Sequence, residues 1–302
     1  MAAGGEWRIR EVIKVSDSIA RVRRRGDKRY ENRFAALKAA GEGAFVPFAV
    51  LGDPDPEASL AVLKAFAAGG ADMLELGLAF SDPIADGPAI QGADLRALRA
   101  GVDPAAAFEI LAAFRREEPS IPIGLLVYAN LVRRPGPDAF YARAARAGAD
   151  SVLVADLPWE EAAPFRRAAS AAGIGAVFMA TPLTADSRLD RIVKAGGPYL
   201  YVVSRTGVTG KDASLAASAA PLLARIKRRS AIPTLLGFGV GRPDQVRQAL
   251  SAGADGAISG SAVAEIVARQ AAGKRLPLAA SARRELAAKV QQFTHSMKGA
   301  TR

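Results

Sequence analysis

Cysteine is absent from all 302 residues, and histidine occurs once, as His295. Without cysteine there is no disulfide framework, no thiol nucleophile and no thiolate metal site. One histidine near the C-terminus argues against a histidine-ligated metal and against a Ser-His-Asp relay. Imine chemistry needs a lysine at a strand end. The lysines here fall in the N-terminal segment, in helical patterns, in terminal segments, or, as Lys211, at the far side of a glycine-rich loop. No apolar run reaches the length that spans a bilayer, and half of the residues are hydrophobic with 24% charged, as in a soluble globular protein.

The net charge of +11 suits either a nucleic-acid binder or an enzyme of anionic substrates. The distribution favours the second. The dense basic cluster is Arg21, Arg23, Arg24 and Arg25, whereas elsewhere basic residues are scattered among Glu and Asp with no aromatic-interleaved face. No nucleic-acid partner and no membrane partner is therefore expected. Residues 1–28 lack the continuous apolar core of a secretory signal, and Glu6, Glu11 and Asp17 count against a transit peptide. The expectation is a cytoplasmic protein with a basic, flexible or partly helical extension over 1–28 and one catalytic domain over 29–302.

One phrase recurs: AAGGADMLELG from residue 67, RAGADSVLVAD from 146, KAGGPYLYVVS from 194 and SAGADGAISG from 251. Each reads as a helix end, a glycine that takes the left-handed conformation, and an apolar strand. Between them lie AFVPFAVLG at 44, IPIGLLVYAN at 121, GIGAVFMAT at 173 and IPTLLGFG at 232, giving eight strand candidates separated by seven amphipathic patterns. Strands apolar on both faces and alternating with helices require a parallel sheet covered by helices. Eight units in about 250 residues favour an α/β fold of the closed (β/α)8 barrel type in a single domain. No GxGxxG opens a helix after the first strand, which disfavours an open dinucleotide-binding sheet.

Chemistry in such a barrel belongs at the C-terminal ends of the strands. The polar residues expected there are Asp53; Glu75, Ser81, Asp82 and Asp86; Tyr128 and Asn130; Asp156; Thr181; Tyr201, Ser204, Arg205 and Thr209; and Ser259 and Ser261. Glu75 stands inside the apolar run LELGL. It is either a catalytic carboxylate or a structural one paired with a buried base, and no inward basic partner is evident. Asp82 and Asp86 occupy Asp-Pro and Asp-Gly turns, which by themselves suggest structural roles. The loops SRTGVTG (204–210), GFGVGRP (237–243) and ISGSA (258–262) are glycine-rich. They serve either as tight turns or as a phosphate cradle assisted by a helix N-terminus.

At LELGLAFSDPIADGP, YLYVVSRTGVTG and GFGVGRPDQV the sequence resembles the α subunit of tryptophan synthase. The likeness extends from about Arg29 to the C-terminus through EGAFVPF, IPIGLLVYANL, DSVLVADLP and AISGSA. That family is a (β/α)8 lyase that splits indole-3-glycerol phosphate into indole and glyceraldehyde 3-phosphate. The resemblance implies that Glu75 and Asp86 are its catalytic carboxylates. It puts Tyr201 among the substrate-binding residues and Phe48, Leu126 and Phe238 around the indole. Gly210, Gly239, Gly260 and Ser261 fall on the phosphate positions, and Thr209 on the loop residue that meets the aspartate on closure.

The chemistry suits these residue types. The C3 carbanion of indole is a poor leaving group, so C3 must first be protonated while positive charge develops at the ring nitrogen. Burial should raise the pKa of Glu75 and keep a proton available near neutrality, whereas Asp86, in a loop, is expected to stay charged. The resemblance also implies a β-subunit partner in an α2β2 assembly and no cofactor on this chain, since the pyridoxal phosphate step belongs to the partner. Asp82 is expected to shape the loop or face that partner. The family's usual proline after the LELG segment is Ala79 here. A related barrel, indole-glycerol phosphate synthase, would need strand-end lysine chemistry that this chain lacks. A non-catalytic regulator and a free-standing indole-releasing lyase remain as further readings.

Overall fold

A computed structural model describes residues 25–203 and 215–302. Helix α1 (Arg25–Ala40) leads into strand β1 (Ala44–Leu51), followed by α2 (Pro56–Ala68), β2 (Leu74–Leu78), α3 (Pro88–Arg99), α4 (Pro104–Glu117) and β3 (Ile123–Val127). Then come α5 (Ala129–Arg133), α6 (Pro137–Ala147), β4 (Ser151–Val154), a 3-10 turn at Trp159–Glu161, α7 (Ala162–Ala171), β5 (Gly175–Ala180), α8 (Asp186–Ala195) and β6 (Leu200–Val203). The chain closes with α9 (Leu215–Lys227), β7 (Thr234–Gly237), α10 (Pro243–Ser251), β8 (Gly256–Ser259), α11 (Ser261–Ala271) and α12 (Ala280–Gly299). All eight expected strands are present, parallel, and joined in sequence order into a closed barrel.

The helices start where local chemistry dictates. Asp55 and Asp103 precede Pro56 and Pro104, and their side chains accept from Ala58 N at 2.9 Å and Ala106 N at 2.8 Å. Proline loses nothing at these positions because its missing N–H would have had no intrahelical partner. The seven helical patterns read from sequence omit α4, which lies between α3 and β3. Its buried stripe of Ala107, Phe108, Ile110, Leu111 and Phe114 follows helical spacing, so the β2-to-β3 crossover carries two helices instead of one.

The repeated phrase has a second purpose beyond its glycine. Gly70, Gly148 and Gly253 do take the left-handed conformation, at φ 88°, 99° and 98°. The aspartate after each then reaches sideways to the first amides of the neighbouring strand. Asp72 accepts from Phe45 N at 2.8 Å, Asp150 from Ile123 N at 2.9 Å and Asp255 from Thr234 N at 2.7 Å. Strand ends that would otherwise leave buried donors unpaired are thereby tied at the bottom of the barrel.

Helix α1 lies across the same end. It begins at Arg25, ahead of residue 29 where the barrel domain was expected to start. Arg29 and Arg115 both engage Asp150, at 2.5 and 2.7 Å, and buried Tyr30 shares a 2.9 Å hydroxyl contact with Ser151. With the bottom plugged, the open end is the C-terminal one, where the strand-end residues gather.

Candidate active site

Register decides which side chains face the barrel axis. Phe48 pairs with Glu75, Glu75 with Gly124 and Gly124 with Ser151, so these positions share one inward layer, and Gly77 with Leu126 forms the layer above. Glu75 is 2% exposed, and its Oε1 accepts from Tyr199 Oη at 3.2 Å. Tyr199 is not among the residues singled out from sequence. It stands one residue ahead of β6, and only the barrel closure brings it across to β2.

Burial pushes the Glu75 carboxyl up to about 8; the Tyr199 hydrogen bond acts the other way, and the charge of Asp86 adds to the rise. No buried base accompanies Glu75 among the described residues, so the structural ion-pair reading loses its support. The carboxyl therefore holds its proton at neutral pH, as a general acid requires.

Asp86 sits in the loop after β2, where the chain turns by a hydrogen bond from Asp86 N to Pro83 O. It is half-buried instead of open to solvent. Tyr128 Oη donates to Asp86 Oδ2 at 2.7 Å and accepts from Ala85 N at 3.0 Å, so one hydroxyl fixes both the carboxylate and the loop that carries it. Burial pushes the Asp86 carboxyl above its ordinary value, and the Tyr128 hydrogen bond opposes that rise. Tyr128 itself is clasped by the Phe80 ring, stacked at 5.1 Å. Neighbouring Asp82 is exposed and bonded to Ser81 Oγ, and its carbonyl accepts from Ile84 N, in keeping with a turn-shaping role.

Tyr201 lies opposite, its hydroxyl within the field of both Glu75 and Asp86. Its ring needs a gap in the wall: a Cβ at Gly237 would stand 2.0 Å from Tyr201 Oη. Phe48 uses two such gaps, since a Cβ at Gly77 would come within 2.8 Å of its Cζ and one at Gly260 within 3.2 Å of its Cδ1. Leu126 is half-buried on the same face. Phe238 packs edge-on to Tyr201 at 6.4 Å and is 45% exposed at the mouth. Its φ of 68° lies in the left-handed region, unusual for a bulky side chain and a local strain of about 1–3 kcal/mol.

The glycine loops are not equivalent. At α10 the amides of Gly241 and Arg242 are already taken by Gln245 Oε1, at 2.8 and 3.0 Å. Gly260 instead stands as the N-cap of α11, directly after β8. Gly239, in the loop after β7, takes the left-handed conformation at φ 83°. A helix N-terminus at a strand end favours an anion. Thr209 and Gly210, with Ser204, Arg205 and Lys211, lie outside the described residues.

Other strand-end residues have structural partners. Asp53 is gripped by Arg96 through two bonds of 2.7 and 2.8 Å, yet burial pushes it up to about 6. Asp156 accepts from Ala129 N at 2.7 Å, Thr181 is bonded to Thr184, and Asn130 is exposed.

Known proteins with this architecture share the sequence as well. The family model described as tryptophan synthase alpha chain matches residues 34–301. A tryptophan synthase alpha chain from Shewanella oneidensis is 51% identical over 273 residues, covering 90% of this chain and 95% of that one. The solved tryptophan synthase subunit alpha of Legionella pneumophila superposes with a TM-score of 0.79 at 29% identity, over 90% of this chain and 98% of that one. A tryptophan synthase complex from Pyrococcus furiosus gives 0.73 at 35% identity, covering 85% and 98%. A match along nearly the whole barrel, at half identity to a full-length relative, establishes that this chain belongs to the tryptophan synthase alpha chain family.

Proposed function

We propose that the chain is a carbon-carbon lyase that cleaves indole-3-glycerol phosphate to indole and glyceraldehyde 3-phosphate in tryptophan biosynthesis. The observation that carries this is a buried carboxyl, Glu75, pushed up to about 8 and within the field of a second carboxylate, Asp86, at the strand ends that also carry Phe48, Leu126, Tyr201 and Phe238. A flat aromatic ring suits these apolar side chains, the backbone at Gly210, Gly239, Gly260 and Ser261 is assigned to the phosphate at the other end, and Thr209 to the closing loop.

Glu75 donates its proton to indole C3, which leaves the ring as an iminium with positive charge at the nitrogen. Asp86 accepts a hydrogen bond from that N–H and opposes its charge. The Glu75 carboxylate then removes the proton of the hydroxyl on the carbon attached to C3. The oxygen electron pair forms the aldehyde, the C–C bond breaks, and its electrons restore the aromatic ring. Glu75 ends protonated as it began. To do both tasks it must leave Tyr199, whose hydroxyl it meets at 3.2 Å, and swing toward the ring.

A β-subunit partner in an α2β2 assembly, within the cytoplasm, completes the reading. Its support is the pair of exposed apolar side chains on the mouth loops, Ile84 and Leu183, 83% and 80% exposed. Among the described residues no helix is long and apolar enough to cross a membrane.

Purified protein is assayed for indole release from indole-3-glycerol phosphate, with and without a β subunit. Glu75→Gln abolishes turnover while phosphate affinity stays within about threefold, and Asp86→Asn lowers kcat by at least about a hundredfold. Normal turnover in either variant would sink the assignment.

A further inference from the structure

Asp94 is a buried carboxyl without a task in the reaction above. It lies on α3, 4% exposed, where its Oδ1 accepts from Phe80 N at 3.3 Å. Its Oδ2 is buried and has no hydrogen-bond partner among the described residues. Arg96, on the same helix, spends its guanidinium on Asp53 from the β1 side and reaches Ala264 O on the adjoining α11. Among the described residues, the charged groups that act on Asp94 are Asp86 and Asp53, both negative, with Tyr128 as a further titratable neighbour.

An ionised Asp94 would leave one buried oxygen with no donor among the described residues, within the field of two like charges. Protonation lowers that cost, because a neutral carboxyl is far cheaper to bury than an ion. Burial, aided by Asp86 and Asp53, indeed pushes Asp94 up to about 7. The single bond it accepts comes from the root of the β2 loop. From there the Phe80 ring stacks on Tyr128, and Tyr128 holds Asp86 and Ala85.

We propose that Asp94, as a neutral carboxyl, is a positioning residue for Asp86: it fixes Phe80, and the Phe80 ring and Tyr128 hydroxyl transmit that placement to the loop carboxylate. The proposal rests on the role given to Asp86 above. Ionisation of Asp94 sets a third negative charge at the loop root, repels Asp86 and loosens the loop, so turnover falls as Asp94 loses its proton.

The full chain is compared with Asp94→Asn, which is neutral and keeps an acceptor for Phe80 N, and with Asp94→Ala, which keeps neither. At pH 6.5 Asp94→Asn turns over within about twofold of the parent, whereas Asp94→Ala loses roughly tenfold in kcat with a smaller change in KM. The alkaline limb of the parent reflects two protons, those of Asp94 and Glu75. In Asp94→Asn it reflects Glu75 alone, so at pH 8 that variant exceeds the parent by up to about tenfold. An unchanged two-proton limb in Asp94→Asn, a rate as low as that of Asp94→Ala, or full activity in Asp94→Ala overturns the proposal. Should Asp94→Ala not fold, the Asp94→Asn profile decides.

The Cζ resonance of labelled Tyr128 gives a reading independent of turnover. It shifts near pH 7 in the parent and loses that step in Asp94→Asn. If the parent does not cleave the substrate, the functional reading fails by itself. The resonance still judges Asp94: no step in the parent, or a step that persists in the variant, refutes its role.

Discussion

Replacing Glu75 with Gln should stabilise the protein, increasingly so as pH rises. In the folded chain the Glu75 carboxyl keeps its proton up to about 8, against an ordinary value of 4.5. Between those limits the unfolded chain binds fewer protons than the folded one, so unfolding becomes easier with each pH unit. One full proton is about 1.4 kcal/mol per unit, and three and a half units give a ceiling of about 5 kcal/mol at pH 8. Opening at the barrel mouth admits water before the whole chain unfolds, which keeps the measured value below that ceiling; a gain of at least about 1.5 kcal/mol is expected. Gln carries no such proton but keeps an oxygen for Tyr199 Oη, so the variant separates charge from shape. Urea unfolding at pH 4.5, 6, 7 and 8 reads the effect. The parent and the variant start within about 1 kcal/mol of each other at pH 4.5 and diverge in favour of the variant above it. A difference that stays flat from pH 5 to 8, or grows in favour of the parent, refutes the claim that Glu75 is buried in its protonated form.

Two other perturbations follow from the same geometry. Gly237→Ala places a methyl where the Tyr201 hydroxyl lies, at 2.0 Å, so it displaces the ring, costs about 1–3 kcal/mol and lowers indole release. That penalty should largely vanish in a Tyr201→Ala background, and additive losses in denaturant unfolding would show that the two do not collide. Asp150→Ala leaves the Arg115 guanidinium and Ile123 N without their shared partner at the closed end of the barrel. It should cost about 3–5 kcal/mol in unfolding while kcat of the folded fraction is unchanged, and a loss below about 1 kcal/mol would contradict the role given to that aspartate.

The barrel was legible because its signals are local. Doubly buried parallel strands must be apolar on both faces, and a glycine ends the helix-to-strand passage before six of the eight, so runs such as AFVPFAVLG and SVLVAD could be counted directly. The gap at α4 shows the limit of that counting. Nothing local says whether a crossover holds one helix or two, and Pro104–Glu117 occupies space that its neighbours define.

The site was legible in its carboxylates and not in what tunes them. Glu75 betrays itself as an acidic residue in an apolar strand, a contradiction visible in five letters. Tyr128 could be placed at a strand end but not paired with Asp86, and Tyr199 and Asp94 betray nothing, because a tyrosine before a strand and an aspartate in a helix are ordinary in any sequence. Their meaning comes from closure, which sets Tyr199 against Glu75 from 124 residues away and Tyr128 against Asp86 from 42. The same holds for the repeated Ala-Asp pair. Its aspartate reads as a turn former, yet three copies cross to a neighbouring strand to tie its first amides, a contact set by register alone. Residues that break a local rule can thus be found in the sequence, whereas residues that satisfy every local rule and act only through a distant neighbour require the folded chain. In this barrel the proton donor belongs to the first kind, and the groups that set its acidity and its partner's position belong to the second.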